Sequence, residues 1–167
     1  MGVWRLLLFI LVLCGSGALA QSLRLSAAAG HFNPKTLSGP SDAVAVAGTL
    51  RLLAFDGTSA WPTAAYMGVY EGPNRNNSVQ ILAIRNRMSD DYLVVGYRLV
   101  VDGKEVKVAS LQNVPLSSEV RVSVQFKKGA VSMRVNGRPP IELRTPFNSV
   151  APYVSVSSGE AEFSIDP

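Results

Sequence analysis

The sequence predicts an all-β protein in which two antiparallel sheets pack face to face as a sandwich. Three observations carry this. Past the first twenty residues no run shows the 3.6-residue apolar period of a helix. Short runs of Val, Ile, Leu, Tyr and Phe are instead punctuated by Gly, Asn, Asp and Pro. The chain holds about ten or eleven such runs, and one sheet of that size curls or divides into two layers.

Residues 1–20, MGVWRLLLFILVLCGSGALA, form the first element. One positive charge, Arg5, precedes an apolar run that closes on Ala18-Leu19-Ala20. This predicts a secretory signal peptide cut before Gln21, and hence a secreted or periplasmic protein. The run is too short to span about 30 Å of hydrocarbon, so no stable membrane insertion is expected after cleavage. Bulky Leu13 precedes Cys14, where a lipidated cysteine follows a small residue.

Removing those residues takes away Arg5 and the only cysteine, leaving 15 basic residues (16 less Arg5) against 12 acidic ones. A cysteine-free exported chain of about 147 residues (167 less 20) must be held by a core and not by disulfides, which fits a bacterial setting. Only Lys127 and Lys128 bring two cations side by side. The clustered basic stripe of a nucleic-acid-binding protein is missing from the sequence.

Residues 21–42 read as an N-terminal strand (23–28) and a long polar connection (30–42). Residues 43–167 read as the sandwich, one domain with what precedes it. Strands are predicted over 43–55, 65–70, 79–87, 92–101, 105–111, 153–157 and 161–165, with a turn cluster at 72–77 and a turn at Gly159. The run at 79–87 is apolar on both faces and predicts a central strand covered on both sides.

The hairpins can be read residue by residue. A two-residue Lys128-Gly129 turn sets Phe126 opposite Val131, Val124 opposite Met133 and Val122 opposite Val135. A slip of one residue would expose every one of these side chains. A three-residue loop, 136–138, sets Met133 opposite Ile141 and Val131 opposite Leu143, with Gly137 at a positive-φ position. Pro139 and Pro140 lack ladder donors, so the strand after them should be short and at an edge. A type I′ turn at Asp102-Gly103 sets Val101 opposite Lys104, Leu99 opposite Val106 and Tyr97 opposite Val108.

The run VRVSVQFKKGAVSMRVNG and the closing PYVSVSSGEAEFSID resemble the last strands of concanavalin A-like lectin/glucanase jelly rolls, laminin-G-like modules among them. The resemblance implies a jelly-roll sandwich and says little of activity, because this fold hosts lectins, hydrolases, lyases and adhesion modules. The catalytic Glu-x-Asp-x-Glu strand of the glucanases has no counterpart. Glu160-Ala161-Glu162 is the nearest spacing and lacks the third carboxylate. Alginate-lyase jelly rolls carry a Gln-Ile-His strand, and here Gln80-Ile81 is followed by Leu82. Ile141-Glu142-Leu143-Arg144 matches their Arg-bearing strand but falls on the wrong side of it in chain order.

The single histidine, His31, lies in the polar connection and reads as a surface residue. Asp90, Asp91 and Asp102 could offer oxygens to calcium, although turn acids explain them better; no other cofactor is expected. A sugar-binding groove needs aromatic faces and polar rim groups. The candidates are Trp61, Tyr70, Asn74, Arg75, Asn77 and Arg85, with Tyr66, Asn76 and Asn86 in the same region. Trp61 either stands exposed or plugs the core beneath its loop. Tyr66 and Tyr70 share a face and become core residues if Leu82 and Ile84 mark the inner side. The expected function is a non-catalytic exported module that binds a polysaccharide or another cell-surface ligand. The alternatives are a polysaccharide hydrolase or lyase of the same fold, and an interaction protein without a small ligand.

Overall fold

A computed structural model describes residues 20–58 and 60–167. The expected signal peptide, with Arg5 and Cys14, lies outside them apart from Ala20. Ten strands follow in order: β1 Gln21–Thr36, β2 Ala43–Phe55, β3 Thr63–Glu71, β4 Asn77–Arg85, β5 Tyr92–Val101, β6 Lys104–Pro115, β7 Val120–Lys127, β8 Ala130–Val135, β9 Ile141–Arg144 and β10 Ala151–Ile165. Every pairing among them is antiparallel.

The hydrogen-bonded path runs β6-β5-β4-β3-β10-β2-β7-β8-β9, with β1 on the other side of β10. Residues 151–157 of β10 pair with β3, and residues 159–165 pair with β2. One strand thus carries the ladder from a first layer (β3–β6) into a second (β2, β7–β9). The bend falls at Ser158 (φ 46°) and Gly159 (φ 153°). A Cβ at Gly159 would come within 2.2 Å of the Ala54 carbonyl oxygen, so only glycine fits. Side chains pin this corner. The Thr63 hydroxyl donates to the Ser158 carbonyl and accepts from the Gly57 amide, while the Ser158 hydroxyl accepts from the Gly30 amide.

Alternation decides which side chains meet between the layers. Val120, Val122, Val124 and Phe126 of β7 point inward, as do Val131, Met133 and Val135 of β8, and all are buried. They face Met67 and Val69 of β3, Val79 and Ile81 of β4, and Leu93 and Val95 of β5 in one continuous core. Each large apolar side chain removed from water contributes about 1.5–3 kcal/mol, which is what forbids a register slip.

The two hairpins around β8 form as the sequence predicts. Phe126 pairs with Val131, Val124 with Met133, Val122 with Val135, and then Met133 with Ile141 and Val131 with Leu143. Gly137 has φ 72°, preceded by Asn136 at φ 48°, and short β9 ends the ladder at an edge. At the other edge Asp102 (φ 51°) and Gly103 (φ 76°) make the expected type I′ turn and pair Val101 with Lys104.

Beyond that turn the expected register fails. A bulge between Leu99 and Val100 puts Leu99 opposite Lys107, not Val106, and Tyr97 opposite Ala109, not Val108. Val106 and Val108 are therefore 61 % and 63 % exposed. The reason is an unpaired extra residue in β6, which bends this edge strand and breaks its parity. β1 also differs from expectation, continuing through residues 30–36 by a bulge between Ala27 and Phe32. Pro34 is tolerated there because β1 pairs with β10 alone. Residues 153–157 and 161–165, read as two strands, are one.

Candidate functional site

The outward face of the first layer is concave and holds a groove. Its floor is built from cross-strand rows. In the central row Tyr153 of β10 lies opposite Gly68 of β3, Gly68 opposite Gln80 of β4, and Gln80 opposite Arg98 of β5. Gly68 leaves the space over which Tyr153 reaches Gln80. A Cβ there would come within 2.1 Å of the Val79 carbonyl oxygen and 2.7 Å of the Gln80 Cα. The Gln80 amide bridges its neighbours: Nε2 donates to the Tyr153 hydroxyl, and Oε1 accepts from Arg98 Nη2 at 2.5 Å and Nε at 2.7 Å. The reverse orientation would turn an amide donor toward a guanidinium, which has only donors. Arg98 Nη1 donates to Glu105 at 3.0 Å, and its guanidinium lies 5.7 Å from the centre of the Tyr66 ring. Burial pushes the Tyr153 phenol well above the usual tyrosine range, an effect that Arg98 partly opposes. Tyr153 is therefore a neutral hydrogen-bonding group.

Two hollows flank this row and meet at Arg98 and Glu105. The first, about 390 Å³, is lined by Phe32, Trp61, Asn74, Arg75, Asn76 and Tyr153 among others. The second, about 240 Å³, is lined chiefly by Tyr66, Leu82, Ile84, Val94 and Val108. Trp61 and Phe32 are 44 % and 42 % exposed, so Trp61 stands at the mouth and does not plug the core. Its loop is closed by two backbone hydrogen bonds exchanged with Thr58. Phe32 meets Tyr66 edge to face at 5.7 Å, and Tyr70 meets Tyr153 in the same way at 5.4 Å.

The fold brings Trp61, Asn74 and Arg75 to the first hollow. Tyr70 lies just beneath them, its ring 4.6 Å from the Arg75 guanidinium and its hydroxyl 2.8 Å from Thr36 Oγ1. Asn77 and Arg85 are placed elsewhere. Asn77 Oδ1 accepts from the Asp102 amide at 2.8 Å, which ties the β3–β4 turn to the β5–β6 turn. Arg85 donates to the carbonyls of Asp90 and Met88 and covers the Phe55 ring at 5.2 Å. Tyr66 and Tyr70 share a face with Leu82 and Ile84, as expected, but that face is the groove and not the core.

Gln80, Arg98, Glu105 and Tyr153 were not singled out in the sequence. Parity offers the signal. Gln80 interrupts the apolar middle of β4 and Arg98 that of β5, and both fall on even-numbered, outward positions.

The ionisable groups at these hollows are few. Among the described residues Glu105 is the only carboxylate lining either hollow, and it is held by Arg98. Leu82 points into the second hollow. His31 is exposed on β1 and lines neither hollow. Asp90 accepts from the Arg87 amide in the β4–β5 loop, whereas Asp102 sits at the opposite end of β5. Among the described residues no three His, Cys, Asp or Glu side chains come together as metal ligands.

No protein-family model matches the chain, and no curated protein is similar to it in sequence. Solved structures are similar in shape. A carbohydrate-binding module, CBM66 from Bacillus subtilis, superposes with a TM-score of 0.56 at 7 % identity over 88 % of this chain and 94 % of its own. An alginate lyase from Alteromonas sp. 272 gives 0.52 at 8 % identity over 74 % and 69 %. The xyloglucan protein GH43B from Bacteroides ovatus gives 0.59 at 13 % identity over 87 % of this chain and 32 % of that one. What they share with this chain is the fold. It is a β-sandwich jelly roll.

Proposed function

We propose that this chain is a non-catalytic, exported jelly-roll module of the concanavalin A-like kind, and that it binds a glycan in the concave groove. The observation that carries this is the pairing of an exposed Trp61 and Phe32 with a floor of fixed hydrogen-bonding groups, Gln80, Arg98 and Tyr153. Sugar rings present an apolar face and a rim of hydroxyls, and this groove offers a partner for each. The shared fold of a carbohydrate-binding module supports the reading. The fold of an alginate lyase supports a second one, polysaccharide cleavage. The pairing of Glu105 with Arg98, and the lack of a second carboxylate on either hollow among the described residues, favour binding.

A polysaccharide screen on the purified protein, with product release measured in the same wells, tests both. Binding without turnover is expected, with Trp61→Ala weakening it at least about tenfold and leaving the melting temperature unchanged. Product release, or a Trp61→Ala variant that binds like the parent, would count against the proposal.

A further inference from the structure

We infer that the glycan held in this groove is acidic and that its negative group sits on Arg75. The inference rests on the binding function proposed above and narrows its ligand class. Arg75 stands in the β3–β4 turn with φ 54°, a left-handed conformation that non-glycine residues seldom hold and that persists where surroundings impose it. Its side chain lies against two rings. The guanidinium lies 4.6 Å from the centre of Tyr70 and 5.8 Å from that of Tyr153. A guanidinium held near aromatic rings keeps its charge and its N–H donors, because the rings contribute no acceptor atom at these contacts.

Those donors are poorly served. Nη2 reaches Thr36 Oγ1 at 3.4 Å, a long bond to a hydroxyl that is also 2.8 Å from the Tyr70 hydroxyl. Nε is buried without a partner. Among the described residues Arg75 makes no ion pair, whereas the other groove cation, Arg98, is engaged by Gln80 and Glu105. Glu105 offsets Arg98, so among the described residues one uncompensated positive charge remains in the groove, beside Asn74 and Asn76. A guanidinium has no acceptor, and a carboxylate or sulfate ester answers its Nη donors better than a neutral hydroxyl does.

Matched glycans isolate charge from shape. Titration calorimetry would compare oligogalacturonate with its methyl ester, and dextran sulfate with dextran. In at least one pair the acidic member should bind roughly tenfold or more tightly, and the advantage should shrink as NaCl is raised. Arg75→Gln should erase that advantage. Arg75→Lys, which keeps the charge, should retain part of it, separating loss of charge from loss of fold. Arg134→Gln, exposed on the opposite layer, should leave it intact. The responding pair distinguishes carboxylate from sulfate.

Equal binding of both members, weakened by Trp61→Ala, would overturn the inference and leave glycan binding standing. So would binding confined to neutral glycans of the screen. Failure of every glycan in the pairs and the screen would overturn both.

Discussion

The outward faces of the two layers come from the same alternation and end in opposite conditions. On β7 and β8 the outward row is Arg121, Ser123, Gln125, Ser132 and Arg134, mostly in water and linked to little beyond its immediate neighbours. On β4 and β5 the outward row is Ser78, Gln80, Leu82, Val94, Gly96 and Arg98, all buried or half-buried at the base of a groove. A polar face in water costs nothing to maintain and carries no information about a ligand. A face that sets exposed aromatics above a bonded polar row must keep that row satisfied, because each buried polar group left without a partner costs stability.

That contrast can be broken or sharpened by substitution, starting with the largest effect. Gly68→Ala places a methyl against the Val79 carbonyl. It should cost about 3 kcal/mol in urea unfolding, against less than about 0.5 kcal/mol for Ser123→Ala on the other layer. Equal costs would remove the special status of the groove floor. Gln80→Ala strips partners from Arg98 and from buried Tyr153, and should cost about 2 kcal/mol, whereas Gln125→Ala should be neutral.

Alkali gives the next effect. The folded chain holds the Tyr153 proton more tightly than the unfolded chain does, because burial penalises the phenolate. Stability is therefore full below the unfolded tyrosine value of about 10 and falls as pH rises past it, by up to about 1.4 kcal/mol per pH unit. Tyr153→Phe should flatten that part of the pH–stability curve, and an unchanged slope would show that the phenol is not sealed off. The smallest effect belongs to the solvated layer. Arg121 grips Asp166 with both Nη atoms, yet both side chains are substantially exposed. Arg121→Ala should lower stability by no more than about 1 kcal/mol, less in high salt.

The same contrast governs what could be read from the sequence. The β7–β8–β9 ladder was legible because its alternation is strict and its turns carry Lys128-Gly129 and Asn136-Gly137, which take the left-handed conformations such turns require. The β5–β6 pairing was not. Val106 and Val108 alternate as in a regular hairpin, and nothing local announces the unpaired residue that turns them outward. The span 30–36 hid its strand behind Asn33 and Pro34, because pairing with β10 alone lets a proline stand in the ladder. Around the groove, loop residues Trp61, Asn74 and Arg75 drew attention by composition, and the fold sets them at one hollow. Gln80, Arg98 and Tyr153 lie on three strands and become neighbours through the β4–β5 pairing and across Gly68, relations that no sequence window contains.

The bend in β10 has a consequence for how the two layers close. The strand that joins them is the last of the ten in chain order. Until it docks, β2 and β3 each keep an open inner edge, and such edges recruit other chains. Closing the seam falls to the final strand, so a chain cut short within β10 should aggregate where the full chain stays dispersed.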